Sequence, residues 1–265
     1  MAETSDVLVE RDGSGIVTVT LNRPAVKNSV RPSGWTELTR IFDEIAGRAD
    51  DRVVALTGAG GDFCSGADLR AAGGEEPPGR GMRRVNAALL ALRDLPQPTI
   101  AAVRGAAVGA GFNMALACDL AIAEETARFS QIFSRRGLSV DFGGTWFLTH
   151  MVGLHRAKEL AFFGRILSAR EVHALGLLNR VVPEGQALAQ ALAWARELLG
   201  LAPLALSQTK ELLNLAASGT FHDSVLREAT AQHLNGTSDD TREAIQAFLE
   251  KRQPVFGNHR RATET

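Results

Sequence analysis

Two glycine- and alanine-rich stretches hold the residues whose types and spacing permit chemistry. The first, Asp62-Phe63-Cys64-Ser65-Gly66-Ala67-Asp68-Leu69, follows a short apolar run and precedes a helix-compatible segment. The second, Arg104-Gly105-Ala106-Ala107-Val108-Gly109-Ala110-Gly111-Phe112, repeats the order of strand, small-residue turn and helix. Small side chains let another molecule approach the main chain, and a helix N-terminus offers unsatisfied N–H donors in a favourable dipole. Two such donors converging on one carbonyl oxygen make an oxyanion hole, where losing one donor costs about 2.7–4 kcal/mol of catalysis. A surface turn has the same glycine content, so composition alone leaves both readings open.

Other reactive residue types read as structural. Cys64 lies beside the first stretch without a partnered base and reads as a small packing residue. Cys118 ends an apolar run, and the two cysteines lack metal-ligand spacing. His150 and His155 flank Met151 to Leu154 on an expected helix, and His173 reads as helix surface.

The elements that position the two stretches follow from periodicity. Alternation from Val7 to Asn22 around Asp12-Gly13-Ser14-Gly15 predicts a β-hairpin. Ser33 is the expected N-cap of a helix carrying Trp35, Leu38, Ile41, Phe42 and Ile45. Val53 to Thr57 is a continuous apolar run suited to a strand buried on both faces. A loop from Gly58 to Asp68 with four glycines follows, and Ala71 to Gly81, with Pro77 and Pro78, forms a second flexible stretch. Met82 to Leu95 is helical by period and is stopped by Pro96 and Pro98. Thr99 to Val103 then predicts a strand, Gly105 to Gly111 a turn, Phe112 to Cys118 a buried helix and Leu120 to Ala123 a third strand.

Two consecutive units of strand, glycine-rich turn and helix predict an α/β fold with parallel pairing. In such folds ligands bind beyond the carboxyl ends of the strands. After Pro183 the periodicity is helical, over Gln186 to Leu199, Pro203 to Ala217, Phe221 to Leu234 and Asp239 to Lys251, with Gly200 at an expected C-cap. His259 to Thr265 reads as a polar tail.

At 265 residues, 45% hydrophobic and 22% charged, the chain can bury a sizeable core. Its 29 Lys and Arg balance 30 Asp and Glu, which gives no pull toward nucleic acid or an anionic membrane surface. Met1 to Asp6 lacks the basic-then-apolar pattern of a secretory signal, and no stretch reaches the roughly 18–20 apolar residues of a membrane helix. The expectation is a soluble, reduced, cytoplasmic protein.

Asn22-Arg23-Pro24, Phe63 to Leu69, Gly105 to Gly111, Ala117-Cys118-Asp119, Gly143-Gly144-Thr145 and the closing Phe248 to Phe256 occur in an order and spacing that resemble the enoyl-CoA hydratase/isomerase (crotonase) superfamily. The resemblance covers nearly the whole chain. It implies a crotonase spiral of ββα units over residues 1–200 and a C-terminal helical trimerisation region over 201–265. It further implies an acyl-CoA thioester substrate, a homotrimer or a dimer of trimers, and no separate cofactor or metal, since coenzyme A is part of the substrate.

Carried over position by position, the backbone N–H groups of Ala67 and Ala110 are the implied oxyanion donors. Lys27, Gly66, Asp68 and Leu69 would lie along the coenzyme A nucleotide. Gly109, Gly111, Asn113 and Phe133 complete the substrate-side positions. Phe248 and Lys251, three apart and hence on one helix face, resemble a pair that reaches a neighbouring subunit's coenzyme A. For the two lysines a solvated surface position is the alternative, and for Asn113 it is helix packing.

Hydratases of this superfamily use two glutamates to hold the attacking water. Asn113 occupies the position of the first and Phe133 that of the second. What the chain offers is Asp141, in Arg136-Gly137-Leu138-Ser139-Val140-Asp141-Phe142-Gly143-Gly144-Thr145-Trp146. The segment resembles that of 1,2-epoxyphenylacetyl-CoA isomerases and related Δ3,Δ2-enoyl-CoA isomerases, in which the aspartate is the acid/base. The alternative is an N-cap on a helix from Gly143 to Val152, where the dipole would lower the carboxyl pKa. Dehalogenases of aromatic acyl-CoA also place an aspartate near this point but add a histidine, and no histidine lies between Met1 and Trp146. Hydratase activity by a non-standard route, and acyl-CoA binding with weak catalysis, remain alternatives. Phe63, Met82, Phe133, Phe142 and Trp146 serve either as an acyl pocket or as core.

Overall fold

The computed structural model describes residues 5–71 and 79–257. Most of the flexible stretch expected at Ala71 to Gly81, with its two prolines, and the tail from His259 lie outside the described residues.

The hairpin forms as expected, with β1 (Val7–Arg11) antiparallel to β2 (Ile16–Leu21). Next comes α1 (Pro32–Gly47), which begins at Pro32 rather than after Ser33. A proline in the first helical position loses no hydrogen bond, because that N–H has no intrahelical acceptor, and its fixed φ already suits a helix. Ser33 thus falls inside the helix and the N-cap is Arg31, with no side-chain cap.

Three further units repeat one path. From β3 (Val53–Gly58) the chain passes through the first loop to α2 (Arg80–Arg93). From β4 (Thr99–Val103) it passes through β5 (Ala106–Val108) to α3 (Ala110–Ala117). From β6 (Leu120–Glu124) it passes through β7 (Arg128–Ser130) to α4 (Gly144–Phe163). The remaining elements are β8 (Leu167–Ser168), α5 (Ala169–Ala174), β9 (Arg180–Val182), α6 (Ala187–Leu199), α7 (Pro203–Ala216), α8 (Phe221–Gly236) and α9 (Asp239–Glu250).

The strands form a six-stranded sheet in the order β1-β2-β3-β4-β6-β9, parallel from β2 onward, and a small sheet β5-β7-β8. Isolated parallel bridges extend the small sheet from Ala107 to Cys64 and from Ala67 to Val30. Each turn of the spiral therefore gives one strand to the large sheet and one strand or bridge to the small one. The stretch read from sequence as a turn, Gly105 to Gly111, contains β5. A three-residue strand is too short to show alternation, which is also why β7 and β8 escape the sequence reading.

Both faces of the large sheet are buried, and the period of two divides its residues. Val54, Leu56, Ala101 and Val103 enter the main core, whereas Val53, Ile100 and Ala102 face α6. Along α6, Ala187, Ala191 and Ala195 lie four apart on that face, small enough to bring the helix close to the sheet. Each large aliphatic side chain so buried contributes about 1.5–3 kcal/mol.

A polar link ties the C-terminal helices to the sheet. Lys210 Nζ on α7 reaches Asp119 Oδ2 at 2.8 Å and donates to the Gln97 carbonyl at 3.0 Å. The same carboxylate oxygen accepts from Thr99 N and Oγ1 at 2.7 and 2.8 Å, at the start of β4. Asp119→Ala leaves a mostly buried ammonium and a strand N–H without this partner. We predict a loss of about 2–3 kcal/mol, read from the midpoint of urea unfolding. A loss below about 0.5 kcal/mol, the ordinary surface value, would refute the link's structural weight.

Candidate active site

The first loop leaves the carboxyl end of β3 and folds by close main-chain packing. A Cβ on Gly58 would lie 2.2 Å from the Asp62 carbonyl oxygen and 2.6 Å from Asn28 Nδ2, so the chain doubles back here only over glycine. Asn28 fills the turn. Its Nδ2 donates to the Ala59 and Asp62 carbonyls at 2.9 and 2.7 Å, and its Oδ1 accepts from Arg23 N at 2.9 Å. Asn28 is buried and left-handed at φ 55°, a conformation asparagine tolerates better than most residues. The sequence reading passes over it. Its signal was there, since asparagine beside a proline turn commonly bonds to nearby main chain.

The two loops are zipped together. Cys64 N donates to the Ala106 carbonyl and Val108 N to the Cys64 carbonyl, both at 2.9 Å. A Cβ on Gly111 would lie 2.2 Å from that same Cys64 oxygen. Gly111 is thus required by the contact between the loops. Gly109 has φ 57° and ψ −125°, open in practice only to glycine, and its N–H is tied to the Ser130 carbonyl at 2.8 Å. Buried Cys64, with its thiol pushed up to about 12, packs and does not react.

This packing aims the two N–H groups. Ser65 N donates to the Lys27 carbonyl at 2.9 Å, toward the neighbouring segment. In an unbroken strand residue 67 would face the same way. Gly66, at φ 93°, breaks that alternation. Val30 N then bonds the Gly66 carbonyl and Asp68 N bonds the Val30 carbonyl, at 2.8 and 2.9 Å. In a parallel bridge of this pattern the intervening N–H, that of Ala67, turns to the opposite edge, where the second loop lies. A Cβ on Gly66 would be 3.4 Å from Ala110 N. Ala110 is the first residue of α3, where an N–H has no intrahelical acceptor. Gly109 takes the positive φ, so Ala110 carries its Cβ without strain.

Asp141 reaches this place through two consecutive left-handed residues, Phe142 at φ 48° and Gly143 at φ 69°. These residues set it too far ahead of α4 to cap it. The N-cap is Gly143, without a side-chain bond, so the capping alternative is overturned. The expected lowering of its pKa is overturned too. Burial pushes the Asp141 carboxyl up to about 6, and Oδ1 is buried without a hydrogen-bond partner. Its carbonyl accepts from Gly144 N at 3.0 Å and from Asn113 Nδ2 at 2.8 Å. The helix after it runs on past the expected Val152 to Phe163, interrupted at Gly153.

Gly66, Ala67, Gly109, Ala110, Gly111, Asn113 and Asp141 thus form one cluster, and Phe133 joins it. A Cβ on Gly109 would be 3.6 Å from the Phe133 ring, which is buried. On the flank of the first loop, Lys27 is exposed and Leu69 is 53% exposed. Asp68 is buried, and Arg70 and then Arg23 hold its carboxyl down to about 2. The Arg23 guanidinium lies 3.1 Å from it, so this carboxylate braces the loop against the segment that precedes α1. Phe248 stands on α9 at 81% exposure. Lys251 is the left-handed cap beyond α9, so the two do not share a helix face as the spacing implied. Of the aromatic candidates, Phe63 and Phe142 are core, with Phe142 packed 5.4 Å from Trp35. Trp146 is half-buried, with the Arg93 guanidinium 4.3 Å from its ring and His150 stacked at 4.1 Å.

No described helix is long and apolar enough to cross a membrane. The sequence profile described as Enoyl-CoA hydratase/isomerase matches residues 11–259. A Rhodobacter capsulatus protein named "Probable enoyl-CoA hydratase" is 38% identical over 247 residues, 91% of this chain and 94% of its own. The Escherichia coli 1,2-epoxyphenylacetyl-CoA isomerase is 37% identical over 248 residues, 91% of this chain and 95% of its own. The crystal structure of an enoyl-CoA hydratase from Polaromonas superposes with a TM-score of 0.90 at 35% identity, covering 95% of this chain and 99% of that one. With zipped glycine loops at the carboxyl end of its sheet and profile, relatives and fold in agreement, the chain belongs to the enoyl-CoA hydratase/isomerase family, the crotonases.

Proposed function

We propose that this enzyme is an enoyl-CoA isomerase that shifts a double bond through an enolate held by the N–H groups of Ala67 and Ala110, with Asp141 as acid and base. The observation that carries the reading is the partly desolvated carboxylate of Asp141, a residue whose main-chain carbonyl is tied to the helix that presents Ala110. For a 3-enoyl thioester, the Asp141 carboxylate takes a proton from C2. The C–H electron pair becomes the C1–C2 double bond of a dienolate whose oxygen charge the two N–H groups stabilise. The carboxyl group returns the proton at C4, where the C3–C4 π pair binds it, the C1–C2 pair moves to C2–C3, and an oxygen lone pair re-forms the thioester carbonyl. Lys27 would meet the phosphates of the coenzyme A nucleotide.

The hydratase names of several relatives favour the second reading, hydration of a 2-enoyl thioester. That chemistry wants a water between two carboxylates. Asn113 cannot transfer a proton, and Phe133 is a buried phenyl group. We further propose a homotrimer or a dimer of trimers, supported by apolar side chains left exposed on α7 to α9, among them Leu213, Phe221, Phe248 and Leu249.

Three measurements test these proposals. With a 3-enoyl-CoA in deuterated water, wild type should form the 2-enoyl product, with deuterium at C4 only in the fraction of turnovers in which the Asp141 proton exchanges with solvent before its return, and Asp141→Asn should be slower by about 10²–10⁴-fold. An unchanged substrate, or a variant as fast as wild type, rejects the isomerase. Steady formation of 3-hydroxyacyl-CoA from the 2-enoyl thioester would establish the hydratase instead, and tight binding without turnover a binding protein. Light scattering should give three or six times the 28.3 kDa chain mass, and a monomer would refute the assembly.

The pH dependence has a fixed sign. The folded Asp141 carboxyl, at about 6, binds its proton more tightly than the unfolded one at 3.8. Stability therefore falls as pH rises between these values, by about 2–3 kcal/mol in full above pH 6. The ionised form is the base, so kcat should rise through the same upper limb. Asp141→Asn should unfold at a higher urea concentration than wild type at pH 8 and at a matching one near pH 4. Equal midpoints at pH 8 would show that the carboxylate is not strained by its burial.

A further inference from the structure

We infer that Asn113 and Gln131 are positioning residues for Asp141: the Asn113 carboxamide fixes the Asp141 main chain against α3, and Gln131 holds that carboxamide in its orientation. The inference rests on the reading of Asp141 as acid and base.

Asn113 has no exposed surface and Gln131 is 1% exposed. Both ends of the Asn113 carboxamide are used. Nδ2 donates to the Asp141 carbonyl at 2.8 Å, and Oδ1 accepts from Gln131 Nε2 at 2.7 Å. A flipped amide would set oxygen against the carbonyl and N–H against N–H, so the two partners together permit one orientation. The carboxamide lies flat on the first turn of α4, where a Cβ on Gly144 would be 2.2 Å from Nδ2 and 2.5 Å from Cγ. Gly144 is therefore the residue whose missing side chain leaves room for this contact.

The frame of reference is α3, buried along its whole length. Asn113 is three residues past Ala110, one helical turn from the N–H proposed to hold the enolate oxygen. Asn113 N bonds the Gly109 carbonyl at 3.1 Å, which closes that first turn. One short rigid path thus connects the proposed oxyanion donor with the main chain of the proposed base. Asp141 needs such a tether, because its Oδ1 makes no hydrogen bond and its own side chain is not anchored there. With both ends of the carboxamide occupied and no exposed surface, Asn113 does not offer itself to substrate. It holds the group that does.

The test uses the full-length enzyme and a 3-enoyl-CoA. Asn113→Asp keeps the shape but sets an oxygen against the Asp141 carbonyl. Asn113→Ala removes the tether, and Gln131→Leu frees the carboxamide. We expect kcat to fall by about 10- to 100-fold in both Asn113 variants and less in Gln131→Leu, because a misplacement near 1 Å is enough for such losses. KM should stay within about threefold of wild type, since ground-state contacts are untouched. In an Asp141→Asn background, Asn113→Asp should bring no further loss of residual exchange at C2. Binding of a saturated acyl-CoA and an unchanged circular dichroism spectrum establish that each variant is folded. The near-isosteric Asn113→Asp and the separate Gln131→Leu carry the test if the alanine variant does not fold.

Three results overturn the inference: kcat within about twofold of wild type in the folded Asn113 variants, a raised KM at constant kcat, or an equal loss with and without the Asp141 carboxylate. The second would make Asn113 a substrate ligand. Should Asp141→Asn by itself leave turnover intact, the acid/base reading fails first, and the two failures are told apart.

Discussion

The site depends on one main-chain contact, the parallel bridge between Cys64 and Ala107. It joins two loops that leave different strands of the large sheet, and its two hydrogen bonds set their spacing. Everything nearby serves that contact. Gly111 has no side chain so that Cys64 can approach, Gly109 takes a conformation other residues avoid, and Gly66 breaks the strand alternation so that Ala67 N–H faces the second loop. In the proposed reaction this packing would serve the two N–H groups as preorganisation, because dipoles already in place need not reorganise as charge develops. Asn28 and the Arg23–Asp68 pair stiffen the first loop from its outer side.

Much of this was legible in the sequence, for identifiable reasons. Long periodic segments declared themselves, and α6 to α9 fall within about two residues of their expected limits, the usual uncertainty of helix ends. Buried strands such as β3 and β4 are uninterrupted apolar runs. Short strands were illegible, since β5, β7 and β8 are paired by the spiral and not by their own pattern. Pro32 displaced the expected cap at Ser33 because proline suits the first helical position. Motif spacing brought out Asp141 and the two alanines, but only the fold could show that two left-handed residues remove Asp141 from the cap of α4 and bury it.

Asn113 illustrates a limit of reasoning from residue type. In sequence it stands where a carboxylate is expected, and it reads either as a substrate-side residue or as helix packing. In the structure its carboxamide is bonded at both ends, between Gln131 and the Asp141 carbonyl. Asp68 is the converse case. It sits among ligand-side positions in the motif, yet its charge is spent on Arg70 and Arg23.

The contact between Gly144 and Asn113 reaches beyond geometry into the routes by which such a site can change. The volume above the first turn of α4 admits one side chain, and the Asn113 carboxamide has taken it. A longer acidic residue at 113 would have to leave that space and turn another way, releasing Asp141 as it did so. Replacing Gly144 by even alanine would evict the carboxamide. Position 113 can therefore shrink or keep its shape while Gly144 stays, but Gly144 can gain a side chain only once the carboxamide has gone, which gives any change at the two positions a fixed order.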